Sequence, residues 1–328
     1  MRHDGAAADA LRESVGLARR AEALGYHRFW VAEHHNATSF ASTSPEILIA
    51  QIGAHTSTIR VGSGGVMLRN YSALKVAEQF RVLEAFYPGR VDLGLGRATG
   101  GDPGAAKAMA HPREVINKDE FPRQVADLLG YLAAGTGEPE AFAHVRAQPG
   151  VGPKSESNLE VWLLGSGRST ARTAALTGLP FAFAGFLNGD PFAGVDVLAE
   201  YRRTFRPSRF GAEPKTAVAL ELLCAPTDDE GQHLALSRSF DIVARNYGIQ
   251  GLLPADEVAK FPMSEEIRRY VDDVTRQYVA GGPRRIREAV EAAARRYETP
   301  EIFVLTNCYS FADRVRSYEL IAESLERP

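Results

Sequence analysis

Short apolar runs with strand character alternate with helical segments along most of this 328-residue chain. Seven runs have this character, and each is followed by a helical pattern: Arg28–Glu33, Arg60–Met67, Val91–Gly96, Val161–Leu164, Pro180–Ala184, Thr216–Cys224 and Ile302–Thr306. Strands that alternate with helices favour parallel pairing, because a crossover helix returns the chain to the same side of the sheet. The alternation therefore predicts an α/β protein whose strands all end at one edge.

The number of strands favours a TIM-type (β/α)8 barrel with insertions. Such a barrel needs eight strands over about 250 residues, and the absent one should precede the first helix. Only Met1 to Ala8 stand there, and they are polar and alanine-rich. We predict a single domain over residues 1–328 that lacks the first strand, which an upstream start codon would supply. An open doubly wound sheet is the alternative.

Composition disfavours several classes of partner. The net charge is −3 with an isoelectric point near 6.3, and no basic block is long enough to follow a phosphate backbone. No apolar run is long enough to span a membrane. The two cysteines, Cys224 and Cys308, lie far apart in apolar runs, which favours reduced core residues and a cytoplasmic location. We expect no nucleic acid and no membrane as partners.

Glu33, His34 and His35 follow the first apolar run. Neighbouring strand residues point to opposite faces, so only Glu33 and His35 could share a metal, and we expect no metal site. One histidine facing a pocket could transfer protons near neutral pH. Two strand-end histidines with satisfied hydrogen bonds are the structural alternative, and the alternation does not decide which histidine faces inward.

Glycines interrupt the second strand at Gly62, Gly64 and Gly65. Glycine weakens a strand interior and marks a bulge or a close approach of backbone to another group. A flat aromatic ligand would use that space. A bulge that only curves the sheet is the alternative.

Gly165, Ser166 and Gly167 stand between an apolar run and an alanine-rich helix, followed by Thr170. Free backbone N–H groups, hydroxyls and the helix dipole make such a junction suitable for a phosphate, although Ser or Thr at a helix start is also ordinary capping. Arg97 ends a glycine-rich strand and adds a fixed cation, unless it forms a salt bridge at the rim.

Two long connections, 135–157 and 247–273, have irregular patterns and are candidate lids over the sheet end.

Several motifs together resemble the bacterial luciferase-like flavin-dependent monooxygenases. The resemblance extends from about Ala8 to Glu323 and is carried by Ala32–His35, Ile59–Leu68, Val76–Gln79, Pro88–Arg97, Gly178–Pro180 and Ser317–Leu320. It implies a TIM-like barrel that binds FMN, or in sister branches the deazaflavin F420, at the carboxyl ends of the strands.

The resemblance also implies roles for individual residues. His34 matches the family's acid/base histidine beside the flavin ring. Gly64 and Gly65 match a bulge under that ring which often contains a non-prolyl cis peptide. Arg97 matches a residue near the flavin phosphate, and Gly165, Ser166, Gly167 and Thr170 align with the phosphate loop.

Three departures from the family are visible. The first strand is absent. Arg69, Asn70 and Tyr71 stand where close relatives often have Pro-Asn-His, so a second imidazole is lost. Gly96 replaces the luciferase cysteine beside the flavin, which weakens the case for light emission.

The resemblance implies monooxygenase activity. The enzyme would use O2 and reduced FMN, delivered by a separate NAD(P)H:flavin reductase, to oxidise a small organic substrate. The resemblance also implies a homodimer. F420-dependent hydride transfer and a non-catalytic flavin-binding protein are the alternatives.

Overall fold

A computed structural model describes residues 1–134, 142, 144–150, 159–187 and 193–326 of the chain. Its strands are β1 Arg28–Val31, β2 Arg60–Ser63, β3 Val66–Met67, β4 Val91–Gly96, β5 Glu160–Gly165, β6 Phe181–Ala184, β7 Thr216–Cys224, β8 Val279–Gly281 and β9 Glu301–Leu305. Its helices are α1 Ala7–Ala23, α2 Pro45–Ala54, α3 Ala73–Phe86, α4 Pro103–Ala110, α5 Phe121–Ala134, α6 Arg168–Thr177, α7 Val195–Thr204, α8 Asp228–Ala244, α9 Ala255–Lys260, α10 Glu265–Gln277, α11 Pro283–Tyr297 and α12 Phe311–Glu326.

The strands pair in parallel and almost in chain order. The path β1-β2-β4-β5-β6-β7-β8 runs without reversal, β3 pairs with β4, and β9 pairs with β7. A doubly wound sheet would reverse its strand order at a switch point. The sequential order therefore confirms the α/β class and the winding direction expected of a TIM-type barrel.

The sheet curls far enough to bring its outer strands together. The rings of Trp30 in β1 and Trp162 in β5 lie 5.6 Å apart, and those of Trp30 and Phe303 in β9 lie 4.2 Å apart. In a flat sheet β1 and β5 would be roughly 14 Å apart at the usual strand spacing. No ladder joins β1 to β9 in the described part of the chain, where side chains alone bridge the seam.

Residues before α1 form no strand in the structure, as the sequence predicted. Their one sheet-like contact is an isolated parallel bridge between Arg2 and Leu252. The strand that would fill the seam between β1 and β9 is therefore not provided by residues 1–6.

Both faces of the sheet are buried. Alternate residues of the strands, such as Val161, Leu163 and Phe181, face the helices in the main hydrophobic core. The intervening residues form a second cluster on the inner face, made by Trp162, Ala182 and Ala217 with Trp30, Leu164 and Phe303. This two-sided burial is typical of parallel sheets covered by crossover helices.

Charged residues close the inner face at the amino ends of the strands. Asp92 is fully buried and accepts hydrogen bonds from Arg28, Arg60 and Trp30. Arg28 also donates to Glu301 of β9, so the network crosses the seam. We name this group, with Glu160 and Lys215, the amino-end network.

Some predicted boundaries were wrong. The run Arg60–Met67 is divided into β2 and β3 at Gly64 and Gly65, and β1 ends at Val31 rather than at Glu33. The short strand β8 was missed, because three residues carry too little pattern to distinguish a strand from a loop.

The connection 247–273 is not irregular throughout, contrary to prediction. It contains α9 and the start of α10, which pack on α8 around Phe240, Val258 and Val271. The apolar residues of these helices face a small core of their own, which explains why they are ordered as helices. Most of the other candidate lid, 135–157, lies outside the described residues.

Cys224 and Cys308 are free and buried, and burial raises the pKa of each thiol to about 12. Among the described helices none combines the length and the apolar character needed to cross a bilayer.

Candidate functional site

The sequence-predicted residues lie along four adjacent strands, at or near their carboxyl ends. Val31 pairs with Ser63, and the Gly64 amide donates to the Val31 carbonyl over 2.8 Å, which places the end of β1 beside the glycine pair. β3 then pairs with the end of β4, and β4 with β5. In parallel α/β folds this edge is where ligands bind.

Glu33 is a fully buried carboxylate at this edge. Its Oε1 accepts hydrogen bonds from His35 Nε2 at 2.7 Å and from the Tyr71 hydroxyl at 2.9 Å, and its Oε2 accepts from the Met67 amide at 3.0 Å. Glu33 and His35 are therefore in contact, although they lie beyond the end of β1, where strand alternation no longer applies. No cluster of three potential metal ligands occurs in the described parts of the chain.

His34 has no part in this carboxylate cluster. Its ring stacks on Phe40 with centroids 4.3 Å apart, and its amide donates to the Ser42 carbonyl. Burial, followed by the charge of His35, lowers the pKa of His34. A half-buried imidazole that is neutral at neutral pH can accept a proton.

The glycine pair is held closely by its neighbours. A β-carbon added at Gly65 would lie 2.7 Å from the Gly94 carbonyl oxygen, and one at Gly64 would lie 3.3 Å from Trp30. Close packing of the strands therefore explains why glycine is needed here without any ligand. The peptide between Gly64 and Gly65 is cis, as the resemblance implied.

Arg97 and the start of α6 meet at the next strand ends. Arg97 Nη1 donates to Ser169 Oγ over 2.8 Å. In the described residues Arg97 forms no ion pair, contrary to the alternative of a salt bridge at the rim. Ser169 lies inside the predicted segment Gly165–Thr170, although the sequence did not single it out as a site residue.

The amino end of α6 is open to solvent. Its N-cap residue Gly167 makes no side-chain cap, its first turn has no acidic residue, and a β-carbon at Gly167 would meet nothing within 4 Å. Ser166 and Gly167 are exposed, whereas Thr170 is buried against Gly165. Uncapped N–H groups beside a guanidinium fit a phosphate group well.

Two further residues, Tyr71 and Arg69, also contribute to the site. The sequence marked them only as departures from the residues that close relatives often have. Tyr71 reaches Glu33, as described above. Arg69 donates to the Ile116 carbonyl at 2.8 Å and to the Arg97 carbonyl at 3.3 Å, and so braces the backbone of Arg97. These contacts join residues far apart in sequence, which no local pattern indicates.

Comparison with known proteins decides the family. A sequence model described as "Luciferase-like monooxygenase" matches residues 1–300. The chain belongs to the luciferase-like monooxygenase family. This confirms the resemblance drawn from the motifs.

Two curated relatives from Bacillus subtilis cover almost the whole chain. The uncharacterized protein YwcH is 41% identical over 317 residues, which span 96% of this chain and 93% of YwcH. An N-acetyl-S-alkylcysteine monooxygenase is 32% identical over 330 residues, which span 97% of this chain and 93% of that protein.

Solved structures agree with the fold. Apo-MsnO8 is 36% identical, with a TM-score of 0.87 over 99% of this chain and 95% of its own. The oxygenating constituent of 3,6-diketocamphane monooxygenase from Pseudomonas putida, solved with FMN, has a TM-score of 0.69 at 18% identity and covers 98% and 94%. The coenzyme F420 dependent tetrahydromethanopterin reductase of Methanopyrus kandleri has a TM-score of 0.67 at 15% sequence identity. The alignment covers 99% of this chain and 96% of that protein. Solved proteins with this fold thus include one bound to FMN and one that depends on F420.

Proposed function

We propose that this protein is a monooxygenase that binds reduced FMN and uses O2 to oxidise a small organic substrate. The observation that carries the proposal is the contact of Arg97 with Ser169 at the uncapped amino end of α6, in a chain of the luciferase-like monooxygenase family. Gly165, Ser166, Gly167 and Thr170 would complete the phosphate site. Bound there, the flavin would supply the electrons that activate O2.

His34 is the proposed acid/base residue. It stands at the end of β1, is half-buried against Phe40, and has a lowered pKa, so it is available as a proton acceptor at neutral pH. Gly64 and Gly65, which adjoin the end of β1 through the hydrogen bond from the Gly64 amide to the Val31 carbonyl, are the proposed floor for the flavin ring. The relative named N-acetyl-S-alkylcysteine monooxygenase supports a small organic molecule as the class of substrate.

Reduced FMN would be delivered by a separate NAD(P)H:flavin reductase in the cytoplasm. A homodimer is also proposed. It is supported by exposed apolar side chains on the neighbouring helices α2 and α3, where Ile47, Val82 and Phe86 are 68%, 42% and 71% exposed. Such side chains on adjacent helices suit a partner surface.

F420-dependent hydride transfer is the second candidate, because a structural neighbour of similar TM-score uses F420. Titration of the protein with FMN, reduced FMN and F420, followed by oxygen consumption with each, separates the possibilities. Tight binding of reduced FMN with substrate-stimulated oxygen consumption supports the proposal. Binding of F420 alone would replace it, and FMN binding without oxygen consumption across a substrate panel would indicate a non-catalytic flavin protein.

A further inference from the structure

Two arginines connect the carboxyl ends of three neighbouring strands. Arg69 follows β3 and donates to the Arg97 carbonyl at 3.3 Å. Arg97 follows β4 and donates to Ser169 Oγ at 2.8 Å, and Ser169 lies in the first turn of the helix after β5. Because β3 pairs with β4 and β4 pairs with β5, strand register brings both guanidinium groups to the same part of the sheet edge.

Backbone carbonyls hold the Arg69 guanidinium in place. Its Nε donates to the Ile116 carbonyl at 2.8 Å, its Nη2 donates to the same oxygen, and its Nη1 reaches the Arg97 carbonyl. The next residue, Asn70, is buried and donates to the Thr99 carbonyl at 3.0 Å. Arg69 and Asn70 thus hold the backbone that follows β4, and so they fix the point from which the Arg97 side chain extends.

The two guanidinium groups share this edge without a carboxylate partner. Within the described ranges neither Arg69 nor Arg97 forms an ion pair, and their partners are backbone carbonyls and a serine hydroxyl. Burial, followed by the charge of Arg97, lowers the pKa of Arg69, whereas the exposed Asp119 acts in the opposite direction. Like charges that influence each other in this way both attract an anion bound at Arg97.

We infer that Arg69 is a positioning residue that acts through Arg97 and adds a second positive charge to the proposed phosphate site. The site should therefore discriminate between FMN and riboflavin, which has no phosphate, more strongly than Arg97 alone would allow. This role rests on the proposed function. Arg69 stands where close relatives often have proline, so the second charge belongs to this chain and not to the pattern of those relatives. A purely structural Arg69 would instead affect both flavins equally.

The first measurement is the ratio of the dissociation constants of riboflavin and FMN. Arg69→Gln removes the charge but keeps an N–H donor for the carbonyls, and it should lower this ratio roughly tenfold by weakening the binding of FMN alone. Arg69→Lys keeps the charge without the planar fork and should stay within about threefold of the wild type. Arg90→Gln is the matched control, because Arg90 also donates to two backbone carbonyls but lies before the amino end of β4.

A double-mutant cycle tests whether Arg69 acts through Arg97. In the Arg97→Ala background, the further change Arg69→Gln should alter the ratio by about threefold or less. Salt tests the charge itself, since raising the ionic strength from about 0.01 M to about 1 M shortens the Debye length from roughly 30 Å to roughly 3 Å. The affinity of the wild type for FMN should fall with salt more steeply than that of Arg69→Gln.

A third measurement uses inorganic phosphate in place of flavin. Phosphate should raise the thermal unfolding midpoint of the wild type above its value in chloride of equal ionic strength, because a ligand of the folded state stabilises it. Arg69→Gln should lose most of this increase, and Arg90→Gln should keep it. The same unfolding curves identify any variant that fails to fold, and Arg69→Met, which also removes the charge, then takes the place of Arg69→Gln.

The outcomes separate the role of Arg69 from the proposed function. If the wild type prefers FMN to riboflavin and Arg69→Gln leaves the ratio unchanged, the role of Arg69 is overturned and the phosphate site stands. A wild type that binds both flavins equally, or neither, overturns the proposed phosphate site. The effect of inorganic phosphate then decides for Arg69: an increase that Arg69→Gln removes supports two arginines that bind an anion together, and no increase in the wild type overturns that role as well.

Discussion

Arg28 of β1 donates to Asp92 of β4 over 2.6 Å at the amino end of the sheet, and the two side chains are only 3% and 0% exposed. Asp92 also accepts from Arg60 Nε at 2.8 Å and from Trp30 Nε1 at 2.8 Å. Two guanidinium groups and an indole N–H thus donate hydrogen bonds to the same carboxylate. Since Arg28 also reaches Glu301, this network holds β1 near β9 where no backbone ladder is seen among the described residues.

Replacing Asp92 with Ala should therefore lower the free energy of unfolding by about 3–5 kcal/mol, because a buried guanidinium loses its main partner. Urea denaturation measures the loss. Asp9→Ala is the control, since Asp9 pairs with Arg12 at the exposed surface of α1, where an ion pair is worth roughly 0–1 kcal/mol. Equal effects of the two substitutions would contradict the assignment of β1 to a buried network.

Gly65 and Gly167 differ in the space around them, so alanine at Gly65 is the test and alanine at Gly167 is its control. Gly65→Ala should lower the free energy of unfolding by about 1–3 kcal/mol or more, because its β-carbon meets the backbone of β4, which cannot move aside easily. Gly167→Ala should change it by about 0.5 kcal/mol or less, since the added methyl meets open space. Chemical denaturation of both variants decides. A tolerated alanine at Gly65 would mean that close strand packing does not explain this glycine.

Arg97→Ala should weaken the binding of FMN by roughly 10- to 150-fold, corresponding to about 1.5–3 kcal/mol for a charged hydrogen bond. The affinity for riboflavin, which has no phosphate, should change little. Arg203→Ala is the control, because Arg203 is an exposed arginine in the last turn of α7, outside the proposed phosphate site. Equal losses for FMN and riboflavin in the Arg97 variant would show that Arg97 does not contact the phosphate.

Much of the fold could be predicted from the sequence. The bounds of β4 and β7 agree with the predicted runs, because continuous apolar residues with glycine or charged flanks mark them clearly. The break between β2 and β3 could not be predicted from periodicity, since it depends on how Gly65 packs against β4. The helix α9 and the first part of α10 were missed, and their apolar faces cover α8 rather than the main core.

The sequence predicted individual residues of the site but not the contacts between them. Arg97 and the segment Gly165–Thr170 were chosen separately, and the structure joins them through Ser169, which is 72 residues from Arg97. The bond between Glu33 and Tyr71 spans 38 residues and likewise has no local signature. Local patterns identify chemistry at strand ends, whereas partners across the edge depend on strand order and register.

His34→Ala should lower turnover by roughly 10²- to 10⁴-fold, the usual contribution of a general acid or base, while the affinity for reduced FMN stays nearly constant. Burial and His35 lower the pKa of His34 below its ordinary 6.5, so the neutral, proton-accepting form dominates above that pH. The wild-type kcat/KM, whose pH dependence reports groups of the free enzyme, should therefore fall on the acid side only below pH 6.5, and the variant should lose that limb. His27→Ala is the control, because His27 is exposed and lies just before the amino end of β1, whereas His34 follows its carboxyl end. Unchanged turnover in His34→Ala would remove its catalytic role.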